Sequence, residues 1–249
     1  MKYREFTPSP RLAADVECFW SLQAGEARPG YPVLPDGCVD IVFSRPGELR
    51  VVGTMTRPQR FDVPAGQFVC GVRFRPARSC GFLPVPGTVL ADQSRPLSDL
   101  WGARADRLRR QLEDAPSAAH CIDAMDAQLD PAPPGLVQQA AAWLVARHGN
   151  VRLDELARHA GLSSRQLRRR FLDQTGLTPK QFCRILRFRH TLGHLPRHRG
   201  DWAGLAAGCG YYDQAHLIRD FHEFAGAAPG DYVRFFQSPA PDPALASGA

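Results

Sequence analysis

Arg165, Gln166, Arg168 and Arg169 stand together around Leu167, and these are side-chain types that read base edges. A guanidinium donates two parallel hydrogen bonds to guanine O6 and N7, and a glutamine amide pairs in the same bidentate way with adenine N6 and N7. If Leu167 and Phe171, spaced i, i+4, point into a core, helical geometry turns the four polar residues outward together. A second group is built on Leu217 and Phe221, where Gln214 lies near the helix start and Ala215, His216, Ile218 and Arg219 face outward. That face carries far less charge. Ala215 or Ile218 can touch a thymine methyl, whereas His216 and Arg219 suit phosphates. The expectation is an unequal division of labour, with the first group supplying most of the sequence discrimination and the second mainly affinity and spacing. The bland alternative for either group is a solvated charged face.

Positioning these groups requires two helix pairs, and the chain writes that frame twice. Leu156-Ala157, Gly161-Leu162-Ser163, Leu167, Phe171, Gly176 and Pro179 reappear as Leu205-Ala206, Gly210-Tyr211-Tyr212, Leu217, Phe221, Gly226 and Pro229. Only the turn differs in length. A short helix ending at glycine, a tight turn and a second helix with an i, i+4 apolar stripe is the sequence form of a helix-turn-helix. Ser163 with Gln166, and Thr178-Pro179 with Gln181, are capping-box starts. Gly176 and Gly226 suit the left-handed residue that ends a helix. A connecting helix from Pro179 to Leu195 is about 25 Å long, enough of a strut to hold two recognition helices roughly one DNA turn, about 34 Å, apart.

Charge follows the same division. Of the net +6 over 249 residues, residues 1–135 contribute zero, 136–236 contribute +7 and the remaining tail −1. A basic segment beside a neutral one is the pattern of a nucleic-acid reader joined to something else. Seven scattered cysteines with no C-x-x-C pair argue for a reducing compartment. The polar stretch Met1–Leu12 lacks the apolar core of a secretion signal, and no run is long enough to span a membrane, so a cytoplasmic protein is expected.

The fold class expected is α+β. Residues 1–95 have the punctuation of β structure: Val39–Phe43, Leu49–Val52 and Gln67–Arg75 are short apolar or alternating runs bounded by proline-glycine turns. Residues 96–129 change to helical period, with a break near Pro116, and are expected to form a separate segment that pairs two protomers. The proline-rich stretch 130–135 is the expected linker to 136–236, and 237–249 the expected disordered tail. In Gln67–Arg75, alternation places Arg73 and Arg75 on one face. With Asp36 or Asp40 nearby they form a candidate site for an anionic effector. The alternative, which is the commoner arrangement, is surface arginines paired with those aspartates.

Residues 136–236 resemble the DNA-binding domain of AraC-type transcriptional regulators, over Leu156-Ala157-x3-Gly161-Leu162-Ser163-x3-Leu167-x3-Phe171-x4-Gly176-x2-Pro179 and Gly210-Tyr211-Tyr212-Asp213-Gln214-x-His216-Leu217-x3-Phe221-x4-Gly226-x2-Pro229-x2-Tyr232. The resemblance implies seven helices, a bacterial one-component transcription factor, double-stranded DNA as partner, and activation through RNA polymerase. The candidate contact set is Ser163, Ser164, Arg165, Gln166, Arg168 and Arg169 with Asp213, Gln214, His216 and Arg219. Leu34–Phe43 and Gly71–Pro76 resemble a β-rich domain that precedes such DNA-binding domains and names no ligand, so the small-molecule effector stays open. Two other readings are open. A zinc-cysteine methyl acceptor for damaged DNA would need closely spaced thiols, which Cys18, Cys38, Cys70 and Cys80 do not provide. A constitutive architectural binder would use the first domain only to dimerise. No Ser/His/Asp frame, phosphate loop or dinucleotide fingerprint points to an enzyme or a cofactor. His190, His194 and His198 recur at i, i+4 but are broken by Pro196, so no metal is expected there.

Overall fold

A computed structural model of the protein describes residues 1–131, 133–195 and 200–237, with side chains described up to residue 233. His198 and the tail beyond residue 237 lie outside the described residues. The N-terminal half carries eight strands: β1 (Lys2–Phe6), β2 (Val16–Gln23), β3 (Arg28–Val33), β4 (Val39–Ser44), β5 (Glu48–Val52), β6 (Gln59–Val63), β7 (Phe68–Phe74) and, after the short helix α1 (Gly87–Leu90), β8 (Ser94–Pro96). Six of them form one antiparallel sheet in the order β1-β2-β7-β4-β5-β8, and β3 pairs with β6 alone.

Alternation gives the larger sheet two working faces. Val39, Ile41 and Phe43 of β4 and Cys70, Val72 and Phe74 of β7 point to one side. There they meet α2 (Ser98–Trp101), α3 (Ala103–Asp114) and α4 (Ala118–Asp126). Leu97, Leu108, Leu112, Cys121, Ile122, Met125 and Leu129 share that core. The apolar stripe of the helical segment 96–129 is covered by the sheet, so this segment shares the first core. The opposite face, bearing Asp40, Val42, Val69 and Arg73, is roofed by β3 and β6 and encloses a cavity of about 630 Å³.

The C-terminal half has seven helices among the described residues: α5 (Leu136–Val145), α6 (Leu153–His159), α7 (Ser164–Thr175), α8 (Pro179–His194), α9 (Trp202–Gly208), α10 (Gln214–Ala225) and α11 (Pro229–Gln237). Leu156, Leu167, Phe171, Phe182, Ile185, Phe188, Leu217, Phe221 and Phe224 interlock in a second core. Leu129 belongs to the first core and Val137 to the second, so the chain changes cores across the proline-rich stretch.

The halves are docked. Leu34 and Ala77 of the first half are buried in the second core. Thr54 Oγ1 donates to Thr175 O at 2.9 Å in a buried bond, at the last residue of α7. Gly87 lies so close to the turn after α7 that a Cβ there would sit 2.5 Å from Gly176 N, which only glycine permits. Among the described residues no helix is long and apolar enough to cross a membrane.

Candidate functional site

Local chemistry fixes both recognition helices. Ser163 caps α7 by accepting from Gln166 N at 3.3 Å, and Gln166 Oε1 accepts from Ser163 N at 3.0 Å. This closes the capping box and satisfies helix-start N–H groups that have no partner inside the helix. Gly176 ends α7 in the left-handed region at φ 74°. With Leu167 and Phe171 in the core, Ser164, Arg165, Arg168 and Arg169 are exposed, and so is Arg170, which lay outside the expected set. Among the described residues, the ion pairs of this domain, such as Arg184 with Asp220 and Glu223 and Arg152 with Asp154, do not involve these arginines. Gln166 is placed differently from the adenine reader expected of it. Its Oε1 is occupied by the cap, so a bidentate contact to a base would first break the helix start.

In α10 the start is Asp213, whose carboxylate accepts from His216 N at 2.6 Å, and the end is Gly226 at φ 70°. Gln214, Ala215 and Arg219 are exposed. His216 is half-buried, edge-on to Tyr211 at 5.2 Å, with Nε2 3.9 Å from Asp220 Oδ1. It is held as part of the domain interior as much as presented. Asp220 is 1% exposed and bound by Arg184 of α8 at 2.7 Å, so an ion pair anchors α10 to the strut. Tyr212, ahead of α10, is 94% exposed. Sequence reasoning counted it only as turn; its place in the longer turn of the second repeat is the signal that marks it.

The effector candidates separate. Arg73 is nearly buried, with Nε 3.3 Å from Asp40 Oδ1 and 3.5 Å from Asp36 Oδ2. Trp20 Nε1 donates to Asp40 Oδ2 at 3.1 Å. Gly71 makes that possible: a Cβ there would sit 2.8 Å from the indole, which lies across the strand. Burial pushes the Asp40 carboxyl up to about 6 against the opposing pull of Arg73. Asp36, Asp40 and Arg73 all line the cavity. Arg75 does not: it follows the last residue of β7, is exposed, and donates to Ala13 O at 3.0 Å. The pairing of arginine with aspartate thus holds for Arg73, but as a buried cluster rather than a surface one.

The cavity and α7 are joined by one loop. Gly53 and Met55 line the cavity, and Thr54 between them reaches Thr175. Farther along, Pro58 lies over Gly226 at the end of α10. Elsewhere, one donor atom each from His190, His194 and Cys209 lie within 4.8 Å of one another. His194 Nδ1 is 2.8 Å from His190 O, and His190 stacks on His148 with ring centroids 3.9 Å apart. Cys209 is brought there by α9, which no sequence spacing announced.

Residues 156–234 match the family described as a helix-turn-helix domain, and residues 4–96 match a domain of unknown function (DUF6597). Over 94 residues the chain is 34% identical to the HTH-type transcriptional activator RhaS of Shigella boydii serotype 18, covering 36% of this chain and 33% of that protein. The match therefore spans about a third of that curated relative. Among solved structures, the DNA-binding domain of AdpA in complex with a target DNA aligns with 24% identity and a TM-score of 0.39, covering 42% of this chain and 96% of that one. ToxT from Vibrio cholerae O395 aligns with 8% identity and a TM-score of 0.44, covering 89% and 97%. Residues 156–234, with their duplicated helix pairs, thus match a helix-turn-helix domain like that of a transcriptional activator, and they follow a β-rich segment that matches a domain of unknown function.

Proposed function

We propose that the whole chain is a sequence-specific, one-component transcriptional regulator in which the N-terminal domain senses a small molecule and the tandem helices grip double-stranded DNA. The observation that carries this reading is the construction of α7. One side of the helix presents exposed arginines, and its far end is held by the loop that also walls the cavity. A ligand that moved Gly53 or Met55 would act on Thr54, and so on the tilt and spacing of α7 relative to α10. The same loop passes Gly226, so both helix ends lie within its reach. RNA polymerase is the proposed downstream partner. Pairing of two protomers, if the operator is a repeat, would use surfaces other than the apolar side of α3 and α4.

The test is to sequence the DNA that copurifies with the protein, and then to measure affinity for the recovered operator against salt. Affinity should fall steeply as ionic strength rises, because each neutralised phosphate releases counterion. A flat salt response, or recovery of random fragments, would overturn the reading.

A further inference from the structure

The cavity has a chemistry that the DNA-binding domain does not use. Its wall carries a largely buried set of two carboxylates and one guanidinium, Asp36, Asp40 and Arg73. Glu17 adds a third carboxylate behind it, 3.4 Å from Cys38 Sγ. Of the other two cations on the wall, Arg50 is paired, and Arg45 turns its Nη2 away from the cavity while its buried Nε has no hydrogen-bond partner among the described residues. Arg45 donates to Leu112 O and Ala115 O, and Arg50 bonds Glu48 and Ser94. The centre therefore holds an excess of negative charge in a place shielded from water, where an uncompensated charge is costly. Around it the walls are apolar and aromatic, with Trp20, Tyr31, Phe61, Met55, Val42 and Val69. A volume of about 630 Å³ suits a ligand of drug-like size.

We propose that this cavity is a receptor for a lipophilic organic cation: a protonated amine on an aromatic or alkyl body, its nitrogen against Asp40 and Asp36 and its body along Trp20 and Phe61. Three physical terms select it. A cation cancels the local charge excess that an anion would enlarge. Carboxylate oxygens accept from an N–H donor, whereas Arg73, the donor an anion would need, is already held by two aspartates. Trp20 lines the cavity beside Asp40, and an aromatic ring attracts a cation while it is indifferent to an alcohol. This inverts the expectation of an anionic effector on Arg73 and Arg75. The inference rests on reading the cavity as the sensing site.

The test uses one skeleton with three head groups. Phenylbutylamine, phenylbutanol and phenylbutyrate are titrated by calorimetry into the full chain near neutral pH, without DNA. The amine should bind about tenfold or more tightly than the alcohol, with the carboxylate weakest. Asp40→Asn should erase the preference for the amine while leaving the alcohol within about twofold. If Asp40→Asn fails to fold, Asp36→Asn tests the same charge. Phenylbutyrate as the best ligand, an alcohol equal to the amine, or no binding by any of the three would each overturn the assignment. The regulator reading fails separately: an amine that binds here but leaves operator affinity unchanged removes the sensing role and keeps the site.

Discussion

The helices α7 and α10 bury the same i, i+4 leucine-phenylalanine pair and end on the same left-handed glycine, yet α7 turns four exposed arginines outward where α10 turns one. Their anchoring differs too. The end of α7 is hydrogen-bonded to the N-terminal domain through Thr54, whereas α10 is tied to the strut α8 through the buried Asp220 and Arg184. A repeated frame conserves what packs, because a core tolerates little change in volume, and leaves the outward positions to diverge. The helix with more exposed arginines is also the one bonded to the N-terminal domain. A signal in the cavity would thus act first on discrimination and only second on grip.

Arg184→Met should give the largest effect. It leaves Asp220 as an uncompensated carboxylate that is 1% exposed, at a cost of about 3 kcal/mol. Because the ion pair anchors α10 to the strut and does not involve α7, footprinting should show the α10 half-site lost before the α7 half-site. Equal loss at both half-sites would mean that the two modules are not anchored independently. Next in size, Arg168→Ala should cost about 2 kcal/mol at one base pair and relax preference there. Arg219→Ala should weaken all sequences alike and lower the salt slope by about one. If Arg219→Ala relaxes base preference more than Arg168→Ala, the proposed division of labour between the helices is reversed.

Much of this was legible because local rules governed it. The capping boxes at Ser163 and Thr178, the left-handed glycines at Gly176 and Gly226, the strut, and strands β4, β5 and β7 all follow from spacing and turn chemistry within a few residues. Strands β1 and β6 escaped because Lys2–Phe6 and Gln59–Val63 are polar and largely exposed, with too few apolar residues for a clear period of two. The fate of the helices between Leu97 and Leu129 was invisible for another reason. An apolar stripe says that something covers it, but not whether that is a sheet of the same chain or a second copy. Gln166 shows the limit inside a correct motif: one amide suited two roles, and only geometry assigns it to the cap. The Thr54–Thr175 bond joins residues 121 apart in sequence and has no local signature at all.

The cavity offers a way to tell whether α7 or both helices receive the signal. Asp40 faces Arg73 from β7, Asp36 and Cys38 from the approach to β4, and Trp20 and Cys18 from β2, with Tyr3 beyond them on β1. Its folded value of about 6 lies above the ordinary carboxylate range. Between about pH 4 and pH 6 the folded state therefore holds a proton that the unfolded state has released, so this group's contribution to stability falls as pH rises through that window. Amine binding has the opposite sense. It requires the ionised carboxylate and should strengthen about tenfold from pH 5 to pH 7, while binding of the alcohol stays flat. Amine-induced change in DNA affinity should follow the same profile at the α7 half-site. A profile equally strong at the α10 half-site would show that Pro58 carries as much of the signal as Thr54.

Thr54→Val has the smallest expected effect on stability and the sharpest on coupling. The substitution keeps the shape and removes the hydroxyl that donates across the buried joint, leaving Thr175 O without that donor at a cost of about 1 kcal/mol. Thr175 O sits at the end of α7, where carbonyls have no partner within the helix, so the loss falls on the orientation of this helix rather than on its existence. Basal operator affinity should change by less than about fivefold, and calorimetric binding in the cavity should be unaltered, since Thr54 itself is not part of its wall. The dependence of DNA affinity on cavity ligand should collapse. If that dependence survives intact in Thr54→Val, the route runs through the Gly87–Gly176 contact instead, and Gly87→Ala, whose Cβ would meet Gly176 N at 2.5 Å, becomes the substitution that severs sensing from reading.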